Sequence, residues 1–423
     1  MGIKRWVLVI FWVTVLSGCQ RYEPAPELEN GVLSGNREDE GEEDGEDGES
    51  FGGENAVTKA DAALLEEEAN AGPQIVIETA KERTPVKVKG IYVSAYVAGM
   101  EEMMDKIIQQ IDRTELNAVV IDVKDDHGKI TFSMDSPMIQ ELGACTGYIP
   151  DIRKLVAKLK EHGIYLIARI PAFRDPYLAQ VRPEWCCKQQ DGSVFQDRSG
   201  MAWVNPYKQE AWDYLVEIGK MAGKAGFDEV QFDYIRFCTE RGMNQVIFEE
   251  SDVQNRDRQE IILEFIRYAY DALAKEGLFV SADVFGVVMS SGEDACSVGQ
   301  DFAEMASSLD YLCPMIYPSH YSDGYFGIAH PDTRPYDTVT AALAESKVSL
   351  AQTGQAAEAE PAVKAVIRPW LQDFTASYLP HHISYGPQQV REQIQAVYDA
   401  GYEEWILWDA AVSYHYDGLL PAQ

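Results

Sequence analysis

A chain of 423 residues with 69 Asp and Glu against 36 Lys and Arg carries a formal net charge of −33. Such acidity argues against a nucleic-acid partner and against electrostatic docking on anionic lipid. An apolar share of 46% puts the chain in the globular class, with room for one large α/β barrel or two smaller domains.

Residues 1–19, MGIKRWVLVIFWVTVLSGC, join a basic start at Lys4 and Arg5 to an apolar run over residues 6–16 and a small-residue turn ending in Cys19. That order is a secretion signal, too short to span a bilayer comfortably. Its end, LSGC, resembles the lipobox of bacterial lipoproteins, in which the Cys is acylated and becomes the new N-terminus. The expectation is a domain anchored to a cell membrane through Cys19 and working outside the cytoplasm. An ordinary signal peptide that happens to contain a Cys is the competing reading. Residues 20–85 read as a disordered linker. Much of the acidity sits there, in REDEGEEDGEDGESFGGE over residues 37–54. Acidic, Gly-rich sequence buries too little apolar surface to fold and repels itself into an extended tether.

Over residues 86–423 the texture changes to short apolar runs separated by amphipathic stretches. The runs are KGIYVSAYV, NAVVIDVK, IYLIARIPAF, EVQFDYIRF, LFVSADVFG, YLCPMIYP, AVIRPWLQDF and EWILWDA, beginning at Lys89, Asn117, Ile164, Glu229, Leu278, Tyr311, Ala365 and Glu404. Helix signals lie between them, such as IPDIRKLVAKLKEHG and RDRQEIILEFIRYAYDALAKEG, several with Pro or a polar cap at the start and Gly at the end. Strands alternating with helices make parallel βαβ units, and eight of them close a (β/α)8 TIM barrel. An open doubly wound sheet is the rival, but no GxGxxG follows the first strand. The connection between the sixth and seventh runs is long. The chain ends soon after the eighth, so the last helix is expected to be short or missing, with the segment before Lys89 covering the gap.

Barrel strands turn alternate side chains inward, and catalytic groups sit at their C-terminal ends. In EVQFDYIRF the apolar Val230, Phe232 and Tyr234 share the outer face, which leaves Gln231 and Asp233 inside. The same parity turns Ser281 and Asp283 inward from the fifth run, Asp122 and Lys124 from the second, Arg169 from the third, Arg368 and Trp370 from the seventh, and Asp409 from the eighth. Tyr96 and Tyr317 follow in the first and sixth. A single inward carboxylate is more often an ion pair or a loop cap, but this many converging on one end of one barrel suggests a site.

Paired carboxylates with basic neighbours suit glycoside hydrolysis. One carboxyl group protonates the leaving oxygen while another attacks the sugar or activates water. Trp185, Trp203, Trp370 and Trp408 are candidate stacking platforms, each with ordinary core packing as the alternative. The other chemistries are weaker. DVKDDHG offers Asp125, Asp126 and His127, and PHHIS offers His381 and His382, but neither has an HxH or HExxH spacing. The Cys residues form no CxxC, and no GxSxG is present. No metal and no cofactor is expected. Cys313, in an apolar run, is expected to be core.

With these residues in view, WVNPYKQEAWDYLVEIGKMAGKAGFDEVQFDYIRF, VSADVFG, PMIYPSHY with YFGIAHPDTRPY, and IRPWLQDF resemble a glycoside hydrolase-like domain of bacterial envelope lipoproteins, long catalogued as a domain of unknown function. The likeness runs from about Lys89 to Tyr414. It implies a TIM barrel related to the α-amylase-like glycosidases, with the fourth-strand Asp falling on Asp233 and the fifth-strand Asp on Asp283. Two positions depart from the pattern. Cys238 stands where Pro is usual, and Asp409 where Asn is common, which weakens Asp409 as an acid or base.

The resulting expectation is a glycosidase acting on a poly- or oligosaccharide outside the cytoplasm, with Asp233 as nucleophile or principal carboxylate and Asp283 as acid/base. Substrate would be held by Asp122, Lys124, Arg169, Trp203, Tyr317, His320, Arg368, Trp370 and Asp409. The alternative is a non-catalytic carbohydrate-binding or scaffold lipoprotein.

Overall fold

The structure, a computed structural model, describes residues 83–353 and 364–422. The expectations for the signal peptide, for Cys19 and for most of the linker lie outside the described residues. Each of the eight apolar runs contains a strand: β1 (Lys89–Val93), β2 (Ala118–Asp122), β3 (Tyr165–Pro171), β4 (Glu229–Asp233), β5 (Phe279–Phe285), β6 (Tyr311–Ile316), β7 in two pieces (Val366–Ile367 and Trp370–Gln372), and β8 (Trp405–Trp408). Pro369, which has no N–H to give to a ladder, stands in the interruption of β7. The strands pair in parallel, and the ring closes where β8 meets β1 at Lys89 and Trp405, and where β7 meets β6 at Trp370 and Met315. Among the described residues this is a closed eight-stranded parallel barrel, the (β/α)8 fold.

Among the described residues each of the first seven strands is followed by a main helix, besides shorter helical segments: α1 (Glu101–Ile111), α2 (Ile152–Glu161), α3 (Gln209–Ala225), α4 (Arg258–Lys275), α5 (Phe302–Ser308), α6 (Pro335–Thr353) and α7 (Pro387–Asp399). Their sequences explain them. Helix α4 opens on a capping box between Asp257 and Glu260, then buries Ile261, Ile262, Phe265, Ile266, Ala269 and Leu273 along one stripe. Each large side chain so buried stabilises the fold by roughly 1.5–3 kcal/mol. Gly219 lets α3 lie close against α4, since a Cβ there would sit 2.9 Å from a Leu273 methyl. The long connection after β6 holds α6, which the hydrophobic pattern does not reveal. Its buried face is Val339, Ala342, Leu343 and Ser346, small and partly polar.

After β8 the described residues hold a single 3₁₀ turn (Tyr416–Gly418), and Pro421 bridges to Thr114. The segment before Lys89 takes another path. Arg83 pairs with Asp310 at 2.7 Å and donates to the Leu278 carbonyl, while the Val88 N–H reaches Glu404 at 3.1 Å, so residues 83–88 cross the N-terminal end of the barrel.

That end is also where Arg368 acts, which corrects its assignment to substrate. Its guanidinium is fully buried, 2.9 and 3.0 Å from the two oxygens of Glu229 and 2.8 Å from Glu404, and it lies over the Tyr311 ring. Glu229 also accepts from Ser281 and Tyr165. The side chain of Arg368 does point inward as parity requires, but it runs toward the floor rather than the mouth.

Candidate active site

The upper interior is organised by Arg169, whose buried guanidinium reaches three carboxylates. It donates through Nη1 to Asp122 at 2.7 Å, through Nη2 to Asp126 at 2.9 Å, and through Nε and Nη2 to Asp233 at 3.0 and 2.6 Å. Strand register makes this possible, because Asp122 pairs with Arg169 and Pro171 with Asp233 on neighbouring strands. The rings of Tyr92 and Trp408 lie 5.8 and 5.7 Å from the guanidinium carbon.

Asp233 ends β4. The next residue, Tyr234, has φ of 48°, a left-handed conformation uncommon outside Gly, and its N–H donates to Asp233 Oδ1 at 2.6 Å. Both oxygens of Asp233 are thus held, one by the turn and one by Arg169. The same turn ends the strand's alternation, so Tyr234 is not on the outer face. Its ring sits edge-on to Trp203, and its hydroxyl accepts from Arg174 at 2.5 Å. Burial, and then the charges of Asp126 and Asp233, push its hydroxyl up to about 12.

Asp283 lies one residue beyond the last paired rung between β4 and β5, Phe232 with Ala282, which sets it level with Asp233 on the neighbouring strand. It is buried and accepts from Trp370 Nε1–H at 2.6 Å. Burial first, and then the charge of Asp233, hold its carboxyl well above the usual range, which favours its protonated form. Asp122 is pushed up to about 6 by burial, against the pull of Arg169 and with Asp126 adding to the rise. The half-exposed Asp126 goes the other way: burial raises it, but the attraction of Arg169 and the hydrogen bond from it prevail. Two neighbouring inward carboxyl groups in different surroundings, Asp283 beside an indole N–H and Asp233 beside a guanidinium, are what acid/base chemistry at a sugar needs.

The structure therefore brings Asp233, Asp283, Asp122, Arg169 and Trp370 together. Tyr317 joins them: burial and the charges of Asp283 and Asp233 raise its hydroxyl strongly. His320 is exposed beside it, ring centroids 5.0 Å apart. Trp370 packs edge-on to Trp408, and Trp408 tilts against Tyr92 at 4.3 Å, which makes an aromatic wall beside the carboxyl groups.

Besides Arg368, four sequence expectations do not fit this site. Lys124 lies past the end of β2, where alternation no longer holds, and is buried between the Pro171 carbonyl at 2.5 Å and Asp175 at 2.8 Å. Asp409 caps its own loop, accepting from the N–H groups of Ala411 and Ser413. Trp203 is buried with its N–H on Asp197 at 3.1 Å, so it offers no open platform. Tyr96 belongs to a one-turn helix (Ala95–Ala98), 53% exposed and tilted against the Tyr148 ring at 4.5 Å. Sequence reasoning missed Tyr92, Asp126 and Tyr234 as site residues. Only Tyr92, on the inward parity of β1, had a readable signal; its hydroxyl donates to Asp122 at 2.5 Å.

The family described as "Putative glycosyl hydrolase domain" matches residues 90–414. No curated protein matches the sequence. Among solved structures, a hypothetical protein from Ruminiclostridium thermocellum ATCC 27405 is 34% identical over 46% of this chain and 97% of its own, with a TM-score of 0.43. The PgaB (BpsB) glycoside hydrolase domain from Bordetella bronchiseptica is 12% identical over 77% of this chain and 94% of its own, with a TM-score of 0.52. A beta-galactosidase from the psychrophilic Marinomonas ef1 is 11% identical over 79% and 56%, also with a TM-score of 0.52. At these identities the last two are similar in fold alone.

Proposed function

The chain belongs to this glycosyl hydrolase family, and from that premise we propose that it cleaves a poly- or oligosaccharide outside the cytoplasm, with Asp283 as general acid and Asp233 as nucleophile. The observation that carries the reading is the opposite electrostatics of two inward carboxyl groups on adjacent strands. Asp283 is buried with its carboxyl held well above the usual range, and Asp233 is charge-paired to Arg169. Neighbouring strands lie about 4.8 Å apart. Carboxyl groups about 5–5.5 Å apart favour retention of configuration, whereas inversion needs about 6.5–9.5 Å to admit a water.

In the first step Asp283 gives its proton to the glycosidic oxygen as the bond to the anomeric carbon breaks, and an Asp233 oxygen bonds to that carbon. In the second, the ionised Asp283 takes a proton from water, which displaces Asp233 and regenerates both groups. The Trp370 N–H, bonded to Asp283 Oδ1, stabilises the carboxylate formed between the two steps.

The test is reducing-end release from a panel of envelope glycans together with aryl glycosides. Asp283→Asn is expected to lose about 10²–10⁴-fold on natural glycans and far less on dinitrophenyl glycosides, whose leaving group needs no proton. If wild type binds glycans but releases no sugar from any substrate, the protein is a binding module instead. Trp370→Phe keeps the ring and removes the N–H. Losing that bond to the carboxylate raises Asp283 further, so the alkaline limb of kcat/KM against pH should move to higher pH. An unmoved limb would detach Trp370 from the acid.

A further inference from the structure

We propose that Asp323, His330 and His381 form a binding site for a divalent transition-metal ion, with zinc the best fit, joining the loop after β6 to the loop after β7. Their donor atoms all lie within 4.8 Å of one another. His330 Nδ1 is 3.1 Å from one Asp323 oxygen and His381 Nδ1 is 3.0 Å from the other, and the two imidazoles stack at 3.8 Å. Zinc holds nitrogen and carboxylate oxygen at about 2.0–2.2 Å in a tetrahedron, so donors about 3.3 Å apart suit it. Both carboxylate-to-imidazole spacings already come close to that value, and the rest is a rotation of half-exposed side chains.

Two further observations point to a ligand. His330 Nδ1 is shielded from solvent yet has no hydrogen-bond partner, because its contact with Asp323 is off the bonding direction. The two loops are also tied beneath the cluster, where Gln372 accepts from the Ser319 N–H at 3.0 Å and donates to Asp332 at 3.0 Å, and Asp332 accepts from the Ile383 N–H at 3.3 Å. That base limits how far the three donors can drift apart. Two imidazoles and one carboxylate exclude magnesium and calcium, which take oxygen ligands, and the exposed side leaves a position for water. Motif spacing could not have shown this site, since its three residues come from two loops 58 positions apart at the widest.

The experiment is calorimetric titration of tag-free full-length protein with zinc chloride, paired with melting curves. One zinc per chain is expected, with a higher melting temperature. Affinity should fall at least about tenfold in both His381→Ala and Asp323→Asn, as expected when a ligand is removed, and stay unchanged in Asp233→Asn. Absence of saturable binding to wild type, or equal binding by the two loop variants, would overturn the site. The readout is binding, so it stands or falls separately from the glycosidase reading.

Discussion

Asp233→Asn is expected to lower kcat by about 10³–10⁵-fold, the range seen when a member of a catalytic group is removed, while the protein stays folded. The amide oxygen can still accept from the Tyr234 N–H, which preserves the turn at φ 48°. The amide nitrogen now faces the Arg169 guanidinium, donor against donor, so some stability goes as well. Chemistry and folding are separated by two measurements. A 2-fluoro glycoside that forms the covalent intermediate but cannot leave it should add its sugar mass to Asp233 in wild type. The product should also keep the anomeric configuration of the substrate. An inverted product would remove Asp233 as nucleophile and make it a base acting on water.

Arg169→Ala should give the largest loss of stability. Taking one partner from a buried ion pair typically costs about 3–5 kcal/mol, and here one cation faces three carboxylates. The loss should depend on pH with a definite sign. Asp122 is already raised to about 6 with Arg169 present, so its folded form holds a proton more readily than the unfolded chain does. A group of this kind favours the folded state as pH falls and disfavours it as pH rises through the folded value. Without Arg169, Asp122 rises further and Asp126 loses the attraction that lowers it, so the deficit against wild type should be greatest near pH 7.5 and shrink near pH 5. Urea unfolding at the two pH values measures it. A variant as stable as wild type at pH 7.5 would show that the three carboxyl groups do not need this cation.

The barrel was legible in the sequence because its signal is periodic. Eight apolar runs with inward polar residues state both the strand count and which side chains face the axis, and Asp122, Arg169, Asp233, Asp283 and Trp370 follow from parity alone. The errors begin where the alternation ends. Lys124 and Asp409 lie just past their strands, where backbone turns decide direction, and Tyr234 leaves the expected face because a single positive φ redirects it. Arg368 shows a different limit. Parity says inward but not up or down, and a long side chain in β7 finds Glu229 and Glu404 at the floor. Helix α6 hides because it buries a small, partly polar face. The histidine cluster hides because its members come together only through tertiary folding.

The seam between β1 and β8 has a bearing on how the chain reaches this structure. The Val88 N–H and the Glu404 carboxylate that meet beside it are 316 positions apart. A nascent chain that has not yet delivered Trp405–Trp408 therefore carries bare edges on β1 and β7, and unpaired edges invite pairing with other chains. Ring closure of such long range is slow. Assembly of the site, whose wall includes Trp408, thus waits for β8, and the hazardous interval is the one before that strand pairs.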